Sequence, residues 1–292
     1  MAEPIVSVVV PCYNGGRFLH AMLGSLAAQT FRGFEIIIVN DGSNEPETLR
    51  VLHSLPTDVQ VIHQENRHLS GARNTGFRAA RGEFVLPLDA DDMLAPDFLS
   101  ETVAALRAAS PEVGFVFTHI QLTGSLQGQI RGYFDRFDQL FLNRLPYCML
   151  MRRSAWETIG GYDEAMRRGM EDWEFNIRLA AAGYRGIAIP KPLFLYTVRS
   201  DGMLLSQSAR MQGTVWRQIR SKHRDLYRLP ALALLLREKS RGVRSTLSAA
   251  CLLGAAKVLP DAWFDALFFR LMMTVRAARI RRGHLGSPGA NA

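Results

Sequence analysis

Three carboxylates stand within four positions at Asp89-Ala90-Asp91-Asp92. They follow the apolar run Phe84 to Leu88, at the mouth of what reads as a buried strand, where like charges repel unless a cation lies among them. Hard oxygen ligands of this kind suit Mg²⁺ or Mn²⁺, which proteins hold through one or two carboxylates and substrate phosphates. The same residues also make good helix N-caps, and D-x-D alone does not choose between the two. Glu171-Asp172 opens a second candidate. The positive end of a helix dipole favours an ionised aspartate there, suited to a general base or simply to a helix start. Asp41 follows the apolar run Phe34 to Val39, and Arg73-Asn74 lies early in a helical stretch. A carboxylate accepts from a base imide N–H and an arginine donates to a carbonyl or phosphate, although both residues also serve as ordinary loop or cap groups. Arg199 follows the last apolar run; its planar fork matches phosphate oxygens, and a solvent-facing arginine is the plain alternative.

The elements that must carry these residues read as βαβ units stacked on a largely parallel sheet. Ile5 to Val10 is a continuous apolar strand, followed by the turn Pro11-Cys-Tyr-Asn-Gly-Gly16 and a helix over Phe18 to Ala28 with Phe18, Leu19, Met22, Leu23 and Leu26 on one face. Phe34 to Val39 repeats the strand, and Asn40-Asp41-Gly-Ser-Asn44 leads into a helix near Glu47 to Leu55. Val59 to His63 is a third strand, Ser70 to Ala80 a third helix and Phe84 to Leu88 a fourth strand. Asp41 and the Asp89 cluster thus fall at strand carboxyl ends, where open α/β sheets bind ligands. Farther on the pattern predicts strands at Val113 to Thr118, Ile130 to Phe134, Cys148 to Met151 and Leu193 to Val198. Helices are expected near Ser154 to Ile159 and over Glu171 to Ala182, the latter with Phe175, Ile177, Leu179 and Ala182 inside. The expected division is a domain over 1–205, with its first 110 residues binding nucleotide and residues 111–205 serving the acceptor and base, then a helical region over 206–292.

The 292 residues are 48% hydrophobic and 21% charged, a globular balance that excludes a disordered or collagen-like chain. Three cysteines, Cys12, Cys148 and Cys251, with no C-x-x-C spacing, support neither a disulfide scaffold nor a zinc module. The chain has no G-x-G-x-x-G after its first strand, no P-loop and no G-x-S-x-G. Residues 1–200 carry 19 basic against 22 acidic residues, whereas residues 201–292 carry 16 against 5. That asymmetry suits an anionic partner, membrane or nucleic acid, or else a solvated basic face. Trp263, Phe264, Leu267, Phe268, Leu271, Met272 and Val275 would form one apolar arc on a helix, with Asp265 and Arg276 opposite. Such a helix could lie in a membrane interface or pack on the main domain. Gly283 to Ala292 is expected to be disordered. No apolar run of about 18 residues and no signal-peptide start are seen, so the chain reads as cytoplasmic, peripheral at most on the inner face of a membrane.

Taken together, Ser7-Val-Val-Val-Pro11-Cys-Tyr13-Asn14, Asn40-Asp41-Gly-Ser43, Gly71-Ala-Arg73-Asn74-x-Gly76, Leu88-Asp89-Ala90-Asp91-Asp92, Gly160-Gly-Tyr-Asp-Glu164 and Glu171-Asp172 resemble the ordered motif series of family 2 glycosyltransferases. The resemblance covers about residues 4–200. It implies an inverting enzyme of the α/β GT-A fold, a central, mostly parallel or mixed sheet flanked by helices, here with a C-terminal helical appendage. It further implies a nucleotide-diphospho-sugar donor, a UDP-sugar being the family's commonest, an acceptor hydroxyl and a divalent cofactor, Mn²⁺ or Mg²⁺; attachment of the basic tail to a membrane would point to a glycan or lipid-linked glycan acceptor in cell-surface polysaccharide synthesis. By the same resemblance Pro11, Tyr13, Asp41 and Arg73 line the base and ribose pocket. Asp89, Ala90 and Asp91 meet the ribose, diphosphate and metal, with Asp91 and Asp89 as metal ligands and Asp92 in support. Gly160 and Gly161 admit the donor sugar beside Glu171, and Asp172 is the general base. Where the family shows Tyr-Arg and then His near its final strand, this chain has Tyr196-Thr-Val-Arg199, which leaves Arg199 to close over the diphosphate.

Two rival readings have discriminating features. A sugar-nucleotide nucleotidyltransferase needs a basic, glycine-rich triphosphate loop, whereas Pro11 to Arg17 offers two glycines and one arginine. A nucleic-acid-binding protein would pair the basic region with a base-reading motif, and none is visible; nucleic acid is not an expected partner.

Overall fold

The computed structural model describes residues 3–167, 169–199 and 212–237, and beyond them 251, 253–255, 258–260, 262–267 and 270. Nine strands form one mixed sheet in the order β3-β2-β1-β4-β8-β6-β9-β5, with β7 paired to β6. The first half follows the expected units. Strands β1 (Val6–Cys12), β2 (Phe34–Asp41), β3 (Val59–Gln64) and β4 (Phe84–Pro87) run parallel. Their crossovers are α1 (Gly16–Ala27), α2 (Pro46–His53) and α3 (His68–Ala79). Alternation along a strand splits the core between two faces. Val8 and Val10 meet Leu19 and Met22 of α1, and Val9 meets Ala72 and Phe77 of α3. At Gly76 a Cβ would lie 2.2 Å from Val9 Cγ1, so only glycine lets α3 sit this close to β1.

After the short strand β5 (Met93–Leu94) and helix α4 (Phe98–Ala108), the sheet becomes mixed. Strand β8 (Leu150–Arg152) is antiparallel to both β4 and β6 (Val113–Gly124), while β9 (Arg185–Val198) runs parallel to β6. Both β6 and β9 outrun their expected lengths. The strand expected over Ile130 to Phe134 is instead β7 (Gly128–Ile130), because Asp135 accepts from Phe137 N and Asp138 N and caps the short helix α5 (Arg136–Gln139). Helices α6 (Arg153–Thr158) and α7 (Glu171–Ala181) lie where predicted. Ala180, rather than the exposed Ala182, completes the buried face of α7.

A third apolar cluster joins the C-terminal region to the sheet domain. Phe137, Leu140, Phe141, Trp173 and Ile177 pack with Val215, Trp216 and Ile219 of the helix Gln212–Lys222, with Leu232 of the helix Leu229–Arg237, and with Phe264. The apolar arc expected around Trp263 is therefore divided: Phe264 is buried and stacked on Trp216 with ring centroids 5.6 Å apart, while Trp263 and Leu267 are exposed. Adjacent helical positions differ by about 100° in direction, so one can face the core while the other faces solvent. Asp265, expected opposite the arc, accepts from Thr214 N and Oγ1. The remainder of the arc (Phe268, Leu271, Met272, Val275), Arg276, the expected domain end near residue 205 and the segment 283–292 lie outside the described residues.

Candidate active site

The carboxyl ends of β1 and β2 face the start of α3 across a cleft of about 450 Å³. Pro11, Tyr13 and Asp41 line it as expected; Cys12, Asn66, His68, Leu69 and Ala72 line it too, without having been expected. Asp41 is buried, and its Oδ1 accepts from Gln64 Nε2 at 2.6 Å and from Arg67 N at 2.8 Å, which leaves Oδ2 for a ligand. Tyr13 is 54% exposed, an aromatic face at the rim. Three non-glycine residues among those described have left-handed backbones, Asn14, His68 and Met170, with φ of 51°, 60° and 62°. The first two flank this cleft and the third precedes Glu171; strain of about 1 kcal/mol or more per residue is thus concentrated around one site.

Arg73, expected to line the base and ribose pocket, is not among the residues that line this cleft. Its guanidinium is buried between two aromatic rings, 4.9 Å from the Tyr147 centroid and 5.4 Å from that of Tyr162. It donates through Nη2 to Asp89 Oδ1 and through Nη1 to Glu171 Oε1, each at 2.8 Å. One arginine thereby joins the loop after β4 to the start of α7, two segments 82 residues apart by their own numbers. The aromatic faces and two carboxylates supply what a buried cation needs.

The three aspartates after β4 have separate partners. Asp92 is buried, its Oδ2 accepting from Tyr147 Oη at 2.6 Å and its Oδ1 from Thr197 N of β9 at 2.7 Å. Tyr147 Oη in turn accepts from Asp89 N at 2.9 Å. Asp92 is thus a strut tying the loop to β9, whereas Asp91 stays half-buried, with Arg199 at 3.5 Å. Ala90 is buried and packs toward Gly15. Burial and then the Asp89 carboxylate raise the Asp91 carboxyl above its ordinary range, a strain that a cation would relieve. Among the described residues no group of three or more His, Cys, Asp or Glu could hold a metal. Asp91 and Asp89 could supply two carboxylates to a hard cation, whose other ligands would have to come from phosphate and water. Arg199 also lies over the Phe18 ring, 4.5 Å from its centroid, beside Asp91.

Asp172 stands in the first turn of α7, held on both oxygens. Oδ2 accepts from Asn143 Nδ2 and Oδ1 from Trp173 N, both at 2.8 Å. Burial raises the Asp172 carboxyl, against the pull of Asn143 and Arg73; burial likewise raises Glu171, against Arg73. Gly160 and Gly161 both have φ near +75°, and Asn74 pins this loop by donating to Tyr162 O and accepting from Tyr162 N, each at 2.8 Å. A Cβ at Gly161 would lie 2.7 Å from Asn74 Oδ1. Asn143 and Tyr147 had no local signal in the sequence: they lie in an irregular stretch, and only the fold brings them to Asp172 and Asp92.

Comparison with known proteins identifies the family and the fold. Residues 7–165 match the profile of glycosyl transferase family 2, more than half of the chain, and the chain belongs to that family. EpsH of Bacillus subtilis, a putative glycosyltransferase, is 41% identical over 118 residues, 40% of this chain and 33% of EpsH. GlyG of Streptococcus pneumoniae, a glycosyltransferase, is 27% identical over 177 residues, 59% of this chain and 52% of GlyG. The chain thus spans about a third to a half of these two relatives. Among solved structures, S. aureus TarS 1-349 in complex with UDP-GlcNAc superposes with a TM-score of 0.58 at 17% identity, covering 94% of this chain and 92% of that one. A Pyrobaculum calidifontis mannosyltransferase in complex with GDP-Man and Mn²⁺ gives 0.56 at 19% identity over 95% and 88%. At such identities the likeness is one of fold, and the fold is the GT-A type.

Proposed function

We propose that this chain transfers a sugar from a nucleoside diphosphate sugar, a UDP-sugar in the first instance, to an acceptor hydroxyl with inversion at the anomeric carbon. The observation that carries the reading is the Arg73 bridge, which holds Asp89 of the donor-binding loop and Glu171, next to Asp172, on one guanidinium. Tyr13 stacks on the base while Asp41 Oδ2 accepts from its N–H, which favours bases carrying an imide or amide proton over cytosine. Asp172 takes the proton of the acceptor hydroxyl as that oxygen attacks opposite the diphosphate. Its carboxyl, raised by burial, is a stronger base than an exposed aspartate. Arg199 donates to the leaving diphosphate, where negative charge grows. Asp91 with Asp89 would hold a divalent cation, Mn²⁺ or Mg²⁺, whose chemistry is to neutralise that same charge. Neighbours of the fold solved with UDP-GlcNAc and with GDP-Man and Mn²⁺ support a nucleotide-sugar donor and a divalent cation.

The acceptor in this reading is a glycan or lipid-linked glycan at an anionic membrane surface. Five of the seven large hydrophobic residues exposed among those described, Leu229, Leu234, Val258, Trp263 and Leu267, lie in the basic C-terminal region. No helix among the described residues is long and apolar enough to cross a membrane; the contact in this reading is a peripheral one.

Calorimetric titration with UDP, GDP, dTDP and CMP, with and without Mn²⁺, tests the donor reading. Metal-dependent binding of one diphosphate, lost in Asp91→Asn, is expected, and transfer should vanish in Asp172→Asn while that binding persists. Near-full transfer by Asp172→Asn would remove the base assignment. For the membrane, Trp263→Ser with Leu267→Ser should reduce sedimentation with phosphatidylglycerol vesicles; equal sedimentation sinks the idea.

A further inference from the structure

We propose that Lys222 is a positioning residue for the base helix, its ammonium fastening the segment after the glycine loop to α7 and so fixing where Asp172 stands. This rests on the reading of Asp172 as the base. Lys222 ends the helix Gln212–Lys222, and its Nζ donates to Asp163 Oδ2 at 2.7 Å and to Glu174 Oε1 at 2.5 Å. Asp163 follows Gly161 by two positions, and Glu174 follows Asp172 by two. A single ammonium therefore closes the excursion between the donor-sugar loop and the base helix, the stretch that contains the left-handed Met170.

The helix carrying Lys222 is itself anchored where it bears on the other partner of Asp172. Trp216 Nε1 and Tyr227 Oη both donate to Leu140 O at 2.8 Å, three residues before Asn143. At its other end Asp265 takes Thr214 N and Oγ1. The C-terminal helix thus touches each segment that converges on Asp172: the Asn143 stretch, the glycine loop and α7. Glu174 has no exposed surface, and without Lys222 it would still accept from Arg178 Nε and Nη2 and lie 2.8 Å from His223 Nε2. Loss of Lys222 should therefore leave α7 folded while releasing its tie to Asp163. The expected damage is to base placement, since small misplacements of a reacting group are costly in rate.

The test compares Lys222→Met, Lys222→Arg and Asp163→Asn in the full chain. UDP and GDP binding with Mn²⁺ is titrated, turnover is read as nucleoside diphosphate release from UDP-GlcNAc and GDP-mannose, and hydrogen exchange is followed over residues 163–174. Lys222→Met and Asp163→Asn should exchange faster in that segment and turn over about tenfold or more slowly, with nucleotide affinity unchanged and Lys222→Arg close to the parent. Unchanged exchange, or damage in Lys222→Arg equal to that in Lys222→Met, overturns the proposal. If Lys222→Met does not fold, Asp163→Asn, which leaves every cation on Glu174, decides alone. Faster exchange in these variants together with full turnover by Asp172→Asn would defeat the base reading while leaving the tie itself intact.

Discussion

The phenol of Tyr147 donates to Asp92 at 2.6 Å, across 55 residues of sequence. The same oxygen accepts from Asp89 N, so one hydroxyl fixes both ends of the acidic turn. Burial and then the Asp89 carboxylate push the Asp92 carboxyl up, which makes its remaining donors costly to lose. Tyr147→Phe should lower stability by about 1 to 3 kcal/mol in urea unfolding and weaken Mn²⁺-dependent nucleotide binding. A variant matching the parent in both would show that the turn holds its shape without the phenol.

Arg73 offers a sharper contrast between charge and geometry. Arg73→Lys keeps the charge but not the fork that reaches Asp89 and Glu171 together. Arg73→Met leaves those two carboxylates facing each other, at a cost of about 3 to 5 kcal/mol. Protonation would relieve the repulsion, so the Met variant's deficit should shrink as pH falls from 8 to 5.5. A deficit independent of pH would mean that packing between Tyr147 and Tyr162, rather than charge, sets the role of Arg73.

Under the proposed role of Asp172 as base, Asn143 sets the pH dependence of turnover. Its donation favours the ionised form of Asp172, so Asn143→Ala should move the acid limb of kcat to higher pH and depress turnover most below neutrality. In the parent chain the limb should lie above the ordinary aspartate value of about 4. A limb that stays put or shifts down in Asn143→Ala contradicts the assignment.

Glu174 behaves in the opposite sense. Burial works against its ionisation, but donation from His223, Arg178 and Lys222 outweighs it and holds the carboxyl at about 2. A depressed folded value contributes stability above the unfolded value of about 4.5 that is lost as pH falls toward 2, a term on the order of 3 kcal/mol. Glu174→Gln should flatten the denaturant midpoint against pH across that interval. Parallel curves for the two proteins would refute the linkage.

The first half of this fold was legible because each parallel strand is a short buried run ending in polar turn residues, as at Val39 before Asn40-Asp41. The second half was less so. Pro190 and Pro192 argue against a strand, and the expected β9 began only at Leu193; the observed pairing passes from Ile189 directly to Phe194, with the prolines inside the irregularity. Residues 98–108 form α4 without having been singled out, although Phe98, Leu99, Thr102, Val103 and Leu106 recur on one face. The motif residues Pro11, Tyr13 and Asp41, which line the cleft, could be read from order and type. Asn143, Tyr147 and Lys222 could not, because each acts on a partner at least 29 residues away.

The positions of the four tryptophans make the chain its own optical instrument. Trp156 beside the glycine loop, Trp173 beside Asp172 and Trp216 in the C-terminal cluster are 9%, 1% and 0% exposed, whereas Trp263 is 73% exposed. An aqueous quencher such as iodide should therefore extinguish essentially one indole in four. Its loss of access on adding vesicles would report the exposed C-terminal surface, while the emission of the three shielded indoles follows the integrity of the packed interior in the same cuvette.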